Sequence, residues 1–181
     1  MRLNTRYLNR FIKLKASPDI LQFSLFPNVK EITESFGALD AVFNHLPEFD
    51  RADPKIRVFC VGDGKTPRTA ALFTFCTRWT CYSIDPRLKY KPKYERIKRL
   101  HCIDQKVEDV VPYVVDKGIV VAVHSHANMF DSVSVCDALC HRAAVAIPCC
   151  FPQKLRTPPD VGYHDEGILS SCNLVQVWKD V

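Results

Sequence analysis

The sequence predicts an α/β fold, a doubly wound parallel sheet preceded by a helical N-terminal extension. Three observations carry this expectation. Short apolar runs, "IRVFCV", "TCYSI", "GIVVAV" and "AAVAI", alternate with polar and helical segments from residue 56 onward. A glycine turn leads directly from the first run into a helix start. Ahead of it, apolar residues recur at helical spacing instead, at Ile32, Phe36, Leu39, Val42, Phe43 and Leu46. Alternating strands and helices build a parallel sheet covered on both faces, with its ligand crevice at the carboxyl ends of the strands.

Each element follows from local chemistry. Residues 1–54 form the helical extension and residues 55–181 the ligand-binding domain, with the polar break "DRADPK" between them. "IRVFCV" is the first strand. Thr66 then caps a helix with Pro67 at its first position, running through "RTAALFTFC". "TCYSI" is the second strand, "YERIKRL" a short helix and "HCI" a brief third strand. "EDVVPYVV" reads as a broken helix, and "GIVVAV" as a fourth strand starting at Gly118. "DSVSVCDALCHR" reads as helix, "AAVAI" as the fifth strand, and "ILSSCNLVQVW" as one or two closing strands.

A chain of 181 residues suits one full hydrophobic core. The net charge of +5 is local. Arg2, Arg6, Arg10, Lys13 and Lys15 carry it without an acid, and the remaining 20 bases meet 20 acids. This start reads as an amphipathic helix packed on the domain, in a cytoplasmic protein; a mitochondrial transit peptide has the same look. Nine cysteines, several inside apolar runs, read as reduced buried thiols. No CxxC pair is present, so the spacing predicts no metal site, and no apolar run approaches a membrane span.

The turn "VGDGKTP" spells Gly64-Lys65-Thr66, yet a nucleotide P-loop also needs a glycine where Phe59 stands. A dinucleotide fingerprint would need a third glycine at Pro67. What remains is Gly62-Asp63-Gly64 opening onto a helix, whose amides suit a carboxylate, a ribose or a phosphate. Asp85 ends the second strand, 23 residues after Gly62, where a carboxylate can accept both hydroxyls of a ribose. Asp104 follows the third strand, where it can meet an adenine amino group or sit solvated in a loop.

The stretch "VVAVHSHANMFDSVSVCDALCHRAAVAIPCCFPQ" resembles the second half of a family of class I S-adenosylmethionine (SAM)-dependent methyltransferase domains. The family includes tRNA ribose methyltransferases and glutathione S-transferase C-terminal-domain-containing proteins. Its His-x-Cys-Gly-x-x-Thr-Asp segment is matched at His124 and Asp131, and its Pro-Cys-Cys-Tyr/Phe segment at Pro148, Cys149, Cys150 and Phe151. The resemblance covers residues 56–151. It departs at Cys60, where an acid is usual, at Thr66 in place of a third glycine, and at His126-Ala127 in place of Cys-Gly. It implies a Rossmann-like sheet of the class I methyltransferase type and SAM as cofactor. Gly62, Asp63, Gly64, Thr66, Asp85, Asp104 and His124 would then surround SAM.

Methyl transfer from a sulfonium needs in-line geometry and, for some acceptors, a base. His124 and His126, at the mouth of the sheet, are the candidate bases; each is equally readable as a hydrogen-bonded turn residue. Cys149 is a candidate nucleophile or a packed turn residue. His124, His126, Cys149 and Cys150 can meet in space, but no ligand spacing asks for a metal there. The run "PRLKYKPKYERIKR" brings Arg87, Lys89, Lys91 and Lys93 together with Tyr90. Bases interleaved with aromatics suit RNA phosphates and stacked bases, and equally a solvated face. The leading expectation is thus a SAM-dependent methyltransferase with RNA as an acceptor. The alternatives are a non-catalytic assembly factor on the same fold and a SAM-binding or SAM-cleaving protein without a macromolecular acceptor.

Overall fold

The computed structural model describes residues 3–89 and 91–181, so Arg2 and Tyr90 lie outside the described residues. Helices α1 (Arg6–Lys13), α2 (Ser17–Gln22) and α3 (Val29–His45) precede the sheet. Asn28 starts α3 by accepting the Glu31 N–H at 3.0 Å. Strand β1 (Arg57–Val61), helix α4 (Arg68–Cys76), strand β2 (Thr80–Ile84) and strand β3 (Leu100–Ile103) follow. Strand β4 (Tyr113–Val123), helix α5 (Met129–Ser134), strand β5 (Cys136–Ile147), strand β6 (Val161–His164) and strand β7 (Leu174–Trp178) complete the chain.

The seven strands lie in the order β3-β2-β1-β4-β5-β7-β6. Neighbours from β3 through β5 are parallel, and β7 runs antiparallel to both β5 and β6. The expected α/β doubly wound sheet is therefore present, with the single inserted antiparallel strand typical of class I methyltransferases. The chain order reverses between β1 and β4, and that switch point is where open sheets of this kind bind ligands.

The two faces are covered unequally. Helices α1–α4 bury Tyr7, Phe11, Phe36, Leu39 and Phe73 against Val58, Val121, Val145 and Val177. The opposite face, with Phe59, Val61, Val120 and Ala144, is covered by the short α5, Val107 and the chain near Leu155. The N-terminal helices share the core of the sheet. Tyr7 is fully buried in α1, and Arg10 pairs with Asp40 of α3, which is the packed-helix reading of the basic N-terminus.

Two expectations are corrected. The segment read as a broken helix is a single 3-10 turn at Val107–Asp109, three further residues and then β4, which runs through Gly118. Gly118 does not start the strand, which begins at Tyr113; a Cβ there would stand 2.0 Å from Cys136 Sγ, so glycine admits the neighbouring strand. The segment read as a long helix after residue 131 turns to strand at Cys136, because β5 pairs with β4 from Tyr113↔Cys136 to Val123↔Ile147. Long-range pairing overrides the local helical pattern there. Among the described residues no helix is long and apolar enough to cross a membrane.

Candidate functional site: a crevice at the sheet switch point

The carboxyl ends of β1, β2 and β4 open into a crevice of about 340 Å³. It is lined by Gly62, Asp85, Val107, Glu108 and the run His124–Ala127, with Arg87 and Lys106 at its edge. Gly62 takes a φ of +74°, and its N–H donates to Ile84 O at 2.8 Å, tying the turn to the end of β2. Asp85 reinforces that tie. Its Oδ2 accepts the Gly64 N–H at 2.8 Å and its Oδ1 the Arg87 N–H at 2.7 Å. A carboxylate has about four acceptor positions; Arg87 Nε also stands 3.5 Å from Oδ1, so Oδ2 is the oxygen with a position open to a ligand hydroxyl.

The other acid of the turn goes elsewhere. Asp63 is buried beneath the turn, not in the crevice, and its Oδ1 and Oδ2 accept the Thr69 and Ala70 N–H groups at 2.9 and 3.2 Å. Ser83 Oγ donates to Oδ2 at 3.0 Å. Burial pushes the Asp63 carboxyl up, while Arg68 and the two amides pull it back. Asp63 is therefore the cap of α4, and the expectation that Thr66 caps it is corrected. The Thr66 hydroxyl donates to Leu25 O at 2.6 Å, and Pro67 occupies the cap position with Arg68 the first helical residue. The reason is geometric: the positive-φ glycines on either side of Asp63 curl its side chain under the first turn of α4. Asp63→Ala would orphan two amides and a hydroxyl. It is expected to cost about 2 kcal/mol in urea unfolding, against about 1 for Thr66→Ala. Equal costs would reverse this assignment.

His124 has φ +50° and donates its N–H to Ile147 O at 2.7 Å. Its ring lies between two acceptors, Glu34 Oε1 at 3.3 Å from Nδ1 and Cys172 O at 3.2 Å from Nε2. Glu34, almost fully buried on α3, is also paired with Lys30 at 3.4 Å. His124 Nε2 is held by the Cys172 carbonyl, while Nδ1 stands near Glu34 Oε1, an oxygen with no hydrogen-bond partner of its own; one fixed ring nitrogen gives the side chain a positioning role. His126 is exposed, with Nε2 3.7 Å from Cys149 Sγ. Cys149 lies 3.5 Å from Cys150 Sγ. Its thiol is pushed up by burial and by the neighbouring Cys150, opposite to the activation a nucleophilic cysteine requires.

The structure thus brings Gly62, Asp85, His124 and His126 to one crevice, with Cys149 beside His126. Gly64 reaches it only through its bond to Asp85. Asp104 is exposed after β3 and does not line the crevice; Val107 and Glu108 stand there instead, because the 3-10 turn carries the chain back over the strand ends. Ser125 belongs to no motif of the sequence, although a Cβ on Gly62 would lie 2.3 Å from its Oγ. Glu34 gives no motif signal either, since its role depends on α3 crossing under His124.

A second cleft of about 590 Å³ adjoins the first and shares Arg87 with it. Lys65, Arg68, Lys89 and Lys91 line it together with Asn28 and Glu31. Lys93 leans over the Tyr94 ring, its Nζ 5.9 Å from the centroid. Arg99, at the end of the basic run, donates to the Thr74, Thr77 and Trp79 carbonyls at the end of α4 and is structural.

No protein-family model and no curated protein sequence matches the chain. Solved structures do resemble it. A mutant of MtNAS in complex with S-adenosylmethionine aligns over 99% of this chain and 77% of its own, at 12% identity and a TM-score of 0.48. Burkholderia thailandensis 1,6-didemethyltoxoflavin-N1-methyltransferase, with bound S-adenosylhomocysteine, aligns over 99% and 75%, at 12% identity and a TM-score of 0.43. CalO1, a methyltransferase in calicheamicin biosynthesis, aligns over 83% and 45%, at 14% identity and a TM-score of 0.40. The fold itself rests on the chain's own strand order, a seven-stranded mixed α/β sheet of the kind typical of class I methyltransferases.

Proposed function

We propose that the chain binds SAM in the switch-point crevice and transfers its methyl group to an anionic acceptor, with RNA as the class best suited. One observation carries the reading: the carboxylate of Asp85, buried at the end of β2, faces a crevice of about 340 Å³ beside a positive-φ glycine turn. The size falls within the range of small-molecule sites. Asp85 would accept a ribose hydroxyl through Oδ2, and Gly62 would let the backbone approach the ligand closely. The Glu34–His124–Cys172 chain would hold the β4 side of the crevice in place. SAM supplies an electrophilic methyl on sulfur; the protein need only align an acceptor opposite the departing thioether and keep water out. The adjoining lysine-rich cleft supports an acceptor carrying phosphates.

Calorimetric titration with SAM and S-adenosylhomocysteine tests the cofactor. Binding in the micromolar range is expected, weakened at least tenfold by Asp85→Ala. Because Asp85 also holds the Gly64 and Arg87 amides, Glu108→Ala is the companion variant: Glu108 is exposed and its removal leaves the turn intact. It is expected to weaken binding severalfold at an unchanged melting temperature. No binding at millimolar ligand would end the enzyme reading. Labelled methyl transfer to total RNA, and not to total protein, is expected next. Binding with no transfer to either would instead favour a non-catalytic SAM-binding factor.

A further inference from the structure

Two parallel strands deliver three metal-ligating side chains to one point at the edge of the crevice, which His126 also lines. In the β4–β5 pairing Val123 lies beside Ile147. The chain then leaves both strands in the same direction, so the third residue after β4, His126, comes level with the second and third after β5, Cys149 and Cys150. Ligands separated by a crossover of more than 20 residues leave no spacing motif in the sequence, and for that reason no metal site is legible there.

The geometry points to a site for one thiophilic d10 cation, Zn²⁺ above all, held by His126 Nε2, Cys149 Sγ and Cys150 Sγ, and we propose it as such. The ligand atoms all lie within 4.8 Å of one another. A tetrahedral zinc with Zn–S of about 2.3 Å and Zn–N of about 2.0–2.1 Å requires S···S and N···S edges of about 3.5–3.8 Å. Here Cys149 Sγ stands 3.5 Å from Cys150 Sγ and 3.7 Å from His126 Nε2. Two thiolates and an imidazole exclude magnesium and calcium, which take oxygen ligands, and suit zinc.

The support beneath the ligands is already built. Cys172 Sγ donates to the Cys149 carbonyl at 2.9 Å, and the Cys172 carbonyl lies against the His124 ring two residues before His126. Downstream, the Gln153 N–H donates to Gln176 Oε1 at 2.8 Å, and Gln176 Nε2 donates to Gln153 O at 3.2 Å. The Pro148–Gln153 loop is thus pinned at both ends, which fixes ligand positions before an ion arrives. His126 and Cys150 are exposed, so an ion has a path in. Three protein ligands leave a fourth position for water or a bound molecule, and His126 also lines the crevice. The assignment removes His126 from the candidate bases, and it stands independently of SAM binding.

The test uses the full chain, reduced and metal-free. Zn²⁺ is titrated in competition with a chromophoric chelator, and Co²⁺ is added in parallel as a spectroscopic probe. One equivalent of Zn²⁺ is expected, and Co²⁺ should give tetrahedral d–d bands with thiolate-to-metal charge transfer. Cys150→Ser and His126→Asn, both exposed and neutral to folding, are each expected to weaken Zn²⁺ at least tenfold. Cys150→Ser should also remove about half of the charge-transfer intensity. Cys140→Ser, at an exposed cysteine on β5 remote from the loop, should change nothing. If the wild-type chain yields all its Zn²⁺ to the chelator, or if Cys150→Ser and His126→Asn bind as tightly as wild type, the site does not exist. Loss of binding in Cys140→Ser would move it elsewhere.

Discussion

Gly62→Ala is expected to destabilise the fold by about 3 kcal/mol and to abolish ligand binding in the switch-point crevice. Two independent penalties meet at this position. The backbone holds φ at +74°, where an L side chain costs about 1–2 kcal/mol. A Cβ would also stand 2.3 Å from Ser125 Oγ, 2.6 Å from Ser125 Cβ and 2.9 Å from Ser125 Cα. The last of these is backbone at the end of β4, so no rotamer change relieves it. The ends of β1 and β4 would have to separate, and both line the crevice. Pairing Gly62→Ala with Ser125→Gly removes the two side-chain clashes and leaves the φ strain and the close approach to the backbone of residue 125. The double variant is expected to regain about half of the lost stability, measured by urea unfolding with an unchanged m-value. Full recovery would mean the backbone conformation costs nothing; no recovery would mean Ser125 is not the obstacle. Gly64→Ala makes a useful contrast. Its φ is +84°, and its Cβ would meet Arg68 Nη1 at 2.5 Å, a guanidinium held by Asp63 O and Glu31. Its cost should be the strain plus the displacement of that side chain, and below that of Gly62→Ala, because the three nearest atoms are all of a side chain and none is backbone.

The same two glycines show what is legible in the sequence. Apolar runs bounded by turn residues identify β1, β2 and the inner half of β5, because buried parallel strands carry continuous apolar side chains. Gly62 with Asp85 at the following strand end identifies the crevice, because both are backbone requirements of one turn. The outer halves of β4 and β5 are less legible. Residues 113–117 and 136–142 are mostly half-buried or exposed, so they carry no core pattern, and only their mutual pairing makes them strands. Asp63 reads as a ligand residue because it sits between the glycines; its side-chain direction depends on two positive φ values that a sequence does not display. Asp104 follows its strand end as a crevice residue should, whereas the 3-10 turn beyond it brings Glu108 to the crevice in its place. Glu34, Ser125 and the His126–Cys149–Cys150 cluster are tertiary products. Each needs two segments to meet, and neither segment alone carries the signal.

Asp165→Ala is expected to cost about 3 kcal/mol and to release α1 from the domain. The carboxylate is almost wholly buried, yet it sits in the turn after β6, far along the chain from its partners. It accepts the Tyr7 hydroxyl at 2.6 Å and the Gly167 N–H at 2.7 Å, and it pairs with the Arg6 guanidinium. Burial, reinforced by the bond to Asp165, pushes the Tyr7 phenol far up, so it stays a donor at every pH at which the protein is handled. Removing the carboxylate leaves the phenol and the amide buried without an acceptor, which costs more than the bonds contribute when made. Arg6 adds little by itself, because its side chain is half exposed and can turn to water. The order of effects therefore discriminates between hydrogen bonding and charge. Asp165→Ala should cost several times as much as Arg6→Ala, with Tyr7→Phe between them, and it should make the link between α1 and α2 newly sensitive to limited proteolysis. If Arg6→Ala matched Asp165→Ala, the contact would be an ion pair first. The basic face of α1 would then hold the helix to the domain by charge, and raised salt would detach it.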